Sequence, residues 1–60
     1  MDKLLLTPVE AARALGVGRT KVYELIGTGR LRSVRLDGCR RITRDDLAAF
    51  VAQLAAEAAA

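Results

Sequence analysis

Apolar residues recur at helical spacing in three stretches of the chain and alternate as in a β-strand in one. In the first stretch, the residues that share one helical face are Val9, Ala12 and Leu15. Thr7-Pro8-Val9-Glu10 is typical of a helix start, because the Thr7 hydroxyl and the Glu10 carboxylate can each accept from the other residue's main-chain N–H. Gly16 tolerates the left-handed conformation that commonly ends a helix. These signals predict a first helix over residues 8–15.

The second helical stretch, residues 19–27, begins with cations. Its apolar stripe consists of Val22, Leu25 and Ile26. Arg19 and Lys21 lie in the first turn, where the helix dipole disfavours a positive side chain by about 0.3–1 kcal/mol. A phosphate bound at this end would reverse the sign of the interaction. The start of the second helix is therefore a candidate anion-binding surface, unless both cations are simply solvated.

Residues 33–42 are predicted to form a β-hairpin around Asp37-Gly38, and two registers are possible for it. A two-residue loop would pair Val34 with Arg41 and turn Ile42 to the opposite face. One extra residue in the loop would pair Val34 with Ile42 and bring Leu36 onto the same buried face. The Asp-Gly pair favours the first register. We favour the second because it buries three apolar side chains together.

The third helical stretch, residues 44–57, starts with an N-terminal cap. Thr43 is the capping residue, and Asp45 and Asp46 follow in the first turn, where the helix dipole favours acids. The apolar stripe consists of Leu47, Phe50, Val51 and Leu54. This helix is therefore predicted to be amphipathic and to supply the one large aromatic side chain of the core.

Composition limits the chemistry that this chain can perform. Its 60 residues make one small domain, without histidine and with Cys39 as the single cysteine. We therefore expect no internal disulfide and no metal site. The sequence also has no nucleophile–base pair and no phosphate-binding loop, so we expect neither an enzyme nor a bound cofactor. The longest apolar run, residues 47–52, is too short to span a bilayer, and we expect a cytoplasmic, nucleoid-associated protein.

Positive charge is concentrated in the middle of the chain. The whole sequence has a formal net charge of +3, but residues 19–44 carry eight cations against two acids, a net +6. Residues 1–18 are neutral and residues 45–60 carry −3. Such clustering is typical of a protein that binds a polyanion, although a solvated surface of mixed charge would also produce it.

The predicted order is helix, tight turn, helix, arginine-bearing hairpin and helix. It indicates a mainly α fold with a small β-hairpin, a single winged helix-turn-helix domain over residues 1–60. The motifs that carry this order are "LLTPVEAA", "LGVGRTKVYELI", "GTGRL" and "RRITRDDLAAF". Together, over residues 4–51, they resemble the winged helix-turn-helix domain shared by phage and plasmid excisionases and by the DNA-binding heads of MerR-type regulators.

The resemblance implies sequence-specific binding of double-stranded DNA. The favoured role is an excisionase, a recombination directionality factor that bends attachment-site DNA and recruits an integrase. A small transcription regulator is the alternative, and a protein-interaction adaptor that docks through the Ala-rich third helix is a second alternative. The chain ends soon after this domain, so we do not expect a full-length MerR-type regulator. We also expect cooperative self-association on DNA, because one small module buries little surface there.

Two sets of side chains are candidates for DNA contact. The recognition-helix set is Arg19, Thr20, Lys21, Tyr23 and Glu24. The wing set is Arg35, Arg40 and Arg41, of which Arg35 and Arg41 lie on the outer face in the favoured register. Arginine can pair with guanine O6 and N7, and glutamate can accept from a cytosine amine. The structural alternatives are that Tyr23 is half-buried under the wing, that Glu24 is solvated or paired with a neighbouring arginine, and that one wing arginine covers the core edge.

Overall fold

A computed structural model describes residues 3–59 of the chain. Its elements are, in order, β1 (Leu5–Leu6), α1 (Pro8–Leu15), α2 (Arg19–Gly27), β2 (Val34–Leu36), β3 (Cys39–Thr43) and α3 (Arg44–Ala59). The strands form an antiparallel sheet in the order β1-β3-β2. Helices α1 and α2 make the helix-turn-helix, and the β2–β3 hairpin is the wing. The fold is a winged helix-turn-helix, mainly α with a small hairpin.

The predicted signals at the ends of α1 are confirmed. The Thr7 main-chain N–H donates to Glu10 Oε1 at 2.9 Å, and the Glu10 N–H donates to Thr7 Oγ1 at 3.1 Å. Gly16 ends α1 in the left-handed region, with φ 74°. The Asp46 N–H donates to Thr43 Oγ1 at 2.9 Å, which is the predicted cap of α3. Local side-chain chemistry therefore fixes where these helices begin and end.

The core is small, and every helix and the central strand contribute to it. Its buried apolar residues are Ala11, Ala12, Val22, Leu31, Ile42, Leu47 and Phe50. Leu31, in the connection between α2 and the hairpin, is 1% exposed and is among the largest fully buried side chains. The alternating pattern of apolar residues did not predict that Leu31 is buried. The buried Leu31 side chain anchors the base of the wing to the core.

Strand β1 extends the sheet on the side away from the wing, and the sequence pattern does not predict it. Leu5 pairs with Thr43 and Leu6 with Ile42. The Arg44 main-chain N–H also donates to the Leu4 carbonyl at 2.9 Å. A two-residue strand has no periodicity of its own, so its partner strand β3 determines its conformation.

The favoured hairpin register is wrong. The cross-strand pairs are Val34–Arg41, Arg35–Arg40 and Leu36–Cys39. Asp37 and Gly38 have φ values of 53° and 77°, and a two-residue turn with positive φ at both positions fixes this register. Val34 and Leu36 remain 41% and 51% exposed, while Ile42 is buried on the opposite face. Local turn geometry therefore outweighs the burial of two further side chains.

Some predicted apolar stripes are only partly buried. Val9 is 38% exposed, because the buried face of α1 is centred on the neighbouring pair Ala11 and Ala12. On α3, Leu47 and Phe50 are buried, but the later members of the stripe, Val51 and Leu54, are 47% and 42% exposed. The second half of α3 therefore extends beyond the core.

Candidate nucleic-acid interface

Helix α2 turns one row of side chains directly away from the core. Val22, which is fully buried, marks its core-facing side. At 3.6 residues per turn, Thr20 and Glu24 are each rotated by about 200° from Val22 in opposite directions, so they share the outward side one turn apart. All five candidate side chains of this helix are exposed. Tyr23 is 49% exposed, so about half of its side chain is accessible.

Lys21 lies to one side of this outward row, towards α3. It lines a cleft of about 290 Å³ whose other lining residues are Leu15, Val17, Leu25, Arg30, Phe50 and Leu54. Its Nζ is 3.4 Å from Glu24 Oε1 in an exposed ion pair. The structure therefore brings Lys21 and Glu24 together, and it separates Lys21 from Thr20 on the helix surface.

The positive N-terminal end of the α2 dipole is not compensated by a capping side chain or by an acid. Gly18, the residue before the helix, makes no side-chain cap, and the first turn contains no acid. Arg19 is exposed at this position. Main-chain N–H groups at a helix N-terminus attract anions, so this end of α2 suits a phosphate group.

The wing arginines are divided between its two faces. Arg35 and Arg40 lie opposite each other on the face that also carries Ile42, whereas Arg41 lies opposite Val34 on the other face. The expectation that Arg35 and Arg41 share a face is therefore wrong. The two-residue turn at Asp37-Gly38 fixes a register that places them on opposite faces. Arg40 Nη1 donates to Ser33 Oγ at 3.0 Å, and Arg41 Nη1 donates to the Arg40 carbonyl at 2.8 Å.

The wing differs electrostatically from the part of the basic surface whose cations are ion-paired. Arg30, after α2, forms an ion pair with Glu57 of α3 at 3.0 Å. Within residues 3–59, by contrast, none of the wing arginines forms an ion pair with an acid. Arg35 and Arg40 are exposed and Arg41 is half-buried. The wing therefore presents positive charge that the described part of the protein does not neutralise.

Comparison of the sequence with known proteins identifies the family of this chain. A family model described as a helix-turn-helix domain matches residues 5–55. An excisionase of Streptomyces ambofaciens is 46% identical over 54 residues, which cover 90% of this chain and 87% of that protein. The chain belongs to the excisionase-type helix-turn-helix family. A probable excisionase of Saccharopolyspora erythraea is 44% identical over 59 residues, 98% of this chain.

The resemblance to excisionases that the sequence motifs indicated is thus confirmed. This excisionase-family chain spans 60% of the length of the Saccharopolyspora relative. No solved structure matches it significantly. No helix within residues 3–59 has the length and apolar character needed to cross a membrane.

Sequence reasoning missed two residues that shape this surface. Ser33 accepts the hydrogen bond that orients Arg40. Gly27, about one turn beyond Glu24, leaves the end of the outward row without a side chain. Neither residue is marked by hydrophobic periodicity or by charge. Ser33 affects the surface by accepting a hydrogen bond from Arg40, and Gly27 affects it by having no side chain beyond Glu24.

Proposed function

We propose that this domain binds double-stranded DNA sequence-specifically and acts as an excisionase, bending attachment-site DNA and recruiting an integrase. The observation that carries the proposal is the opposed pair of Arg35 and Arg40 on the wing. Like charges directly opposite each other destabilise a hairpin, and no acid within residues 3–59 forms an ion pair with either arginine. A DNA phosphate between or beside them would supply the missing negative charge.

In the proposed complex, α2 lies in the major groove and the wing lies beside it. The outward residues of α2, Thr20 and Glu24, face base edges, and Arg19 contacts either a base or a phosphate at the positive end of the helix. The wing arginines contact phosphates, or the minor groove where it is narrow. The role is one of binding and bending DNA, with no bond-breaking step assigned to this chain, and it locates the protein on the nucleoid.

Assembly on DNA follows from the size of the domain. A single module of this kind buries only about 600–1,000 Å² on DNA, which is too little for tight binding alone. We therefore propose that copies bind adjacent sites cooperatively and that an integrase is the protein partner. The names of these two relatives, one an excisionase and the other a probable excisionase, support the recombination role over transcriptional control.

A footprint on the neighbouring genomic DNA tests this function. The purified full chain is expected to protect repeated sites within an attachment region and to stimulate excision by a cognate integrase. The matched control is the double variant Arg35→Ala/Arg40→Ala, which should protect poorly at the same concentration. Protection confined to a promoter, without stimulation of excision, would replace the excisionase role with transcriptional regulation. Absence of any protection would contradict DNA binding.

A further inference from the structure

The outward row of α2 is short at both ends and long in the middle. Thr20 begins the row with a small side chain, and Gly27 ends it with none. A Cβ added at Gly27 would meet nothing within 4 Å, so the surface there is open. Glu24, between them, is therefore the side chain of this row that reaches furthest from the helix, and 61% of it is exposed.

A carboxylate at this place conflicts with the charge around it. The helix otherwise carries Arg19 and Lys21, and a DNA duplex presents about one negative charge per 1.7 Å of its axis. A groove-facing carboxylate is repelled by those phosphates, and a hydrogen bond accepted from a base would offset this repulsion. The ion pair with Lys21, at 3.4 Å, is exposed, so it constrains Glu24 only weakly and does not prevent such a contact.

We infer that Glu24 is a specificity-determining residue that accepts a hydrogen bond from the amino group of a cytosine in the major groove. Cytosine N4 is the donor that acidic side chains recognise there. A base without an amino group at that position would leave the carboxylate desolvated and facing phosphates. Glu24 would thus act by rejecting the wrong bases as much as by attracting the right one. This inference rests on the proposed binding of DNA.

Glu24 substitution should have opposite effects on two kinds of DNA. Removing the charge should raise affinity for random duplexes, because repulsion from phosphates disappears. It should also abolish the preference for cytosine at one position, which we expect to be about 5- to 150-fold in the unaltered chain. Glu24→Gln should shift that preference towards adenine, whose N6 and N7 pair with an amide. Glu24→Ala should leave no preference.

The experiment titrates the full chain and its variants against a duplex selected from a random library, its single-base substitutions and a random duplex. The control Glu57→Gln makes the same change of net charge on α3 and should keep the cytosine preference. Replacing the cytosine by 2-pyrimidinone, which lacks the amino group, should weaken binding of the unaltered chain and not of Glu24→Ala. Circular dichroism confirms that each variant is folded.

Two results would overturn the inference while leaving the proposed function standing. One is that Glu24→Ala retains every base preference of the unaltered chain. The other is that it weakens the selected and random duplexes by the same factor. If the unaltered chain itself fails to bind duplex DNA, the proposed function fails first.

Discussion

Arg35 and Arg40 lie directly opposite each other on the antiparallel strands β2 and β3. Side chains at such positions have Cβ atoms about 4.5–5.5 Å apart. The hydrogen bond from Arg40 to Ser33 orients one guanidinium but does not reduce the charge. The wing therefore holds an electrostatic conflict that an anion would relieve, which links its stability to its proposed ligand.

Arg40→Glu should stabilise the protein and weaken its binding to DNA. The substitution turns an unfavourable cross-strand pair into a favourable one, with an expected gain of about 0.2–1 kcal/mol in the free energy of unfolding. It also removes the proposed phosphate contact and adds repulsion. Urea denaturation and a duplex titration measure the two effects. If stability and DNA affinity change in the same direction, the repulsion between Arg35 and Arg40 is not linked to DNA binding.

The register of the hairpin should depend on Gly38. Its φ of 77° lies in the left-handed region, so Gly38→Ala should destabilise the protein by about 1–2 kcal/mol. The control Asp37→Asn should be nearly neutral, because asparagine adopts positive φ readily. Denaturation measures both variants, and NMR contacts between the main chains of Arg35 and Arg40 report the register. Contacts between Val34 and Ile42 instead would indicate the bulged register.

The cap of α1 should make stability depend on pH in acid. The hydrogen bond from Lys3, followed by that from the Thr7 main chain, lowers the pKa of Glu10 from 4.5 to about 2. Because the folded-state pKa is the lower one, this stabilisation is complete above pH 4.5 and is lost as the pH falls towards 2. Glu10→Gln should remove this part of the pH dependence.

Unfolding free energies measured between pH 6 and 2 test that expectation. The matched control is Glu24→Gln, which removes an exposed carboxylate that is bound only to a lysine side chain. It should leave the part of the acid dependence that comes from Glu10 in place. Equal flattening by both variants would show that Glu10 is not its source.

The helices were predictable from sequence because their boundaries depend on local chemistry. Thr7, Gly16 and Thr43 act on main-chain groups within a few residues of themselves. The hairpin register was not predictable in this way. It depends on whether the turn at Asp37 or the burial of Val34 and Leu36 dominates, and in the structure Val34 and Leu36 remain exposed.

The candidate site was predictable in composition but not in orientation. Charge clustering identified the basic residues of α2 and the wing. The direction of Lys21 depends on where α3 packs, and the pairing of Arg35 with Arg40 depends on the register. Neither follows from the spacing of residues along one element. Their proposed roles in DNA binding stay predictions.

The most direct test of the account is the salt dependence of duplex binding. If about five phosphates are contacted, log K should fall against log[salt] with a slope of roughly −4 to −5. Arg35→Ala and Arg40→Ala should each reduce the slope by about one unit on selected and random duplexes alike. The control Arg13→Ala removes the same charge from α1 and should change it less. A slope near zero, or wing variants that bind both duplexes unchanged while remaining folded, would contradict the proposal that this protein binds DNA through its wing.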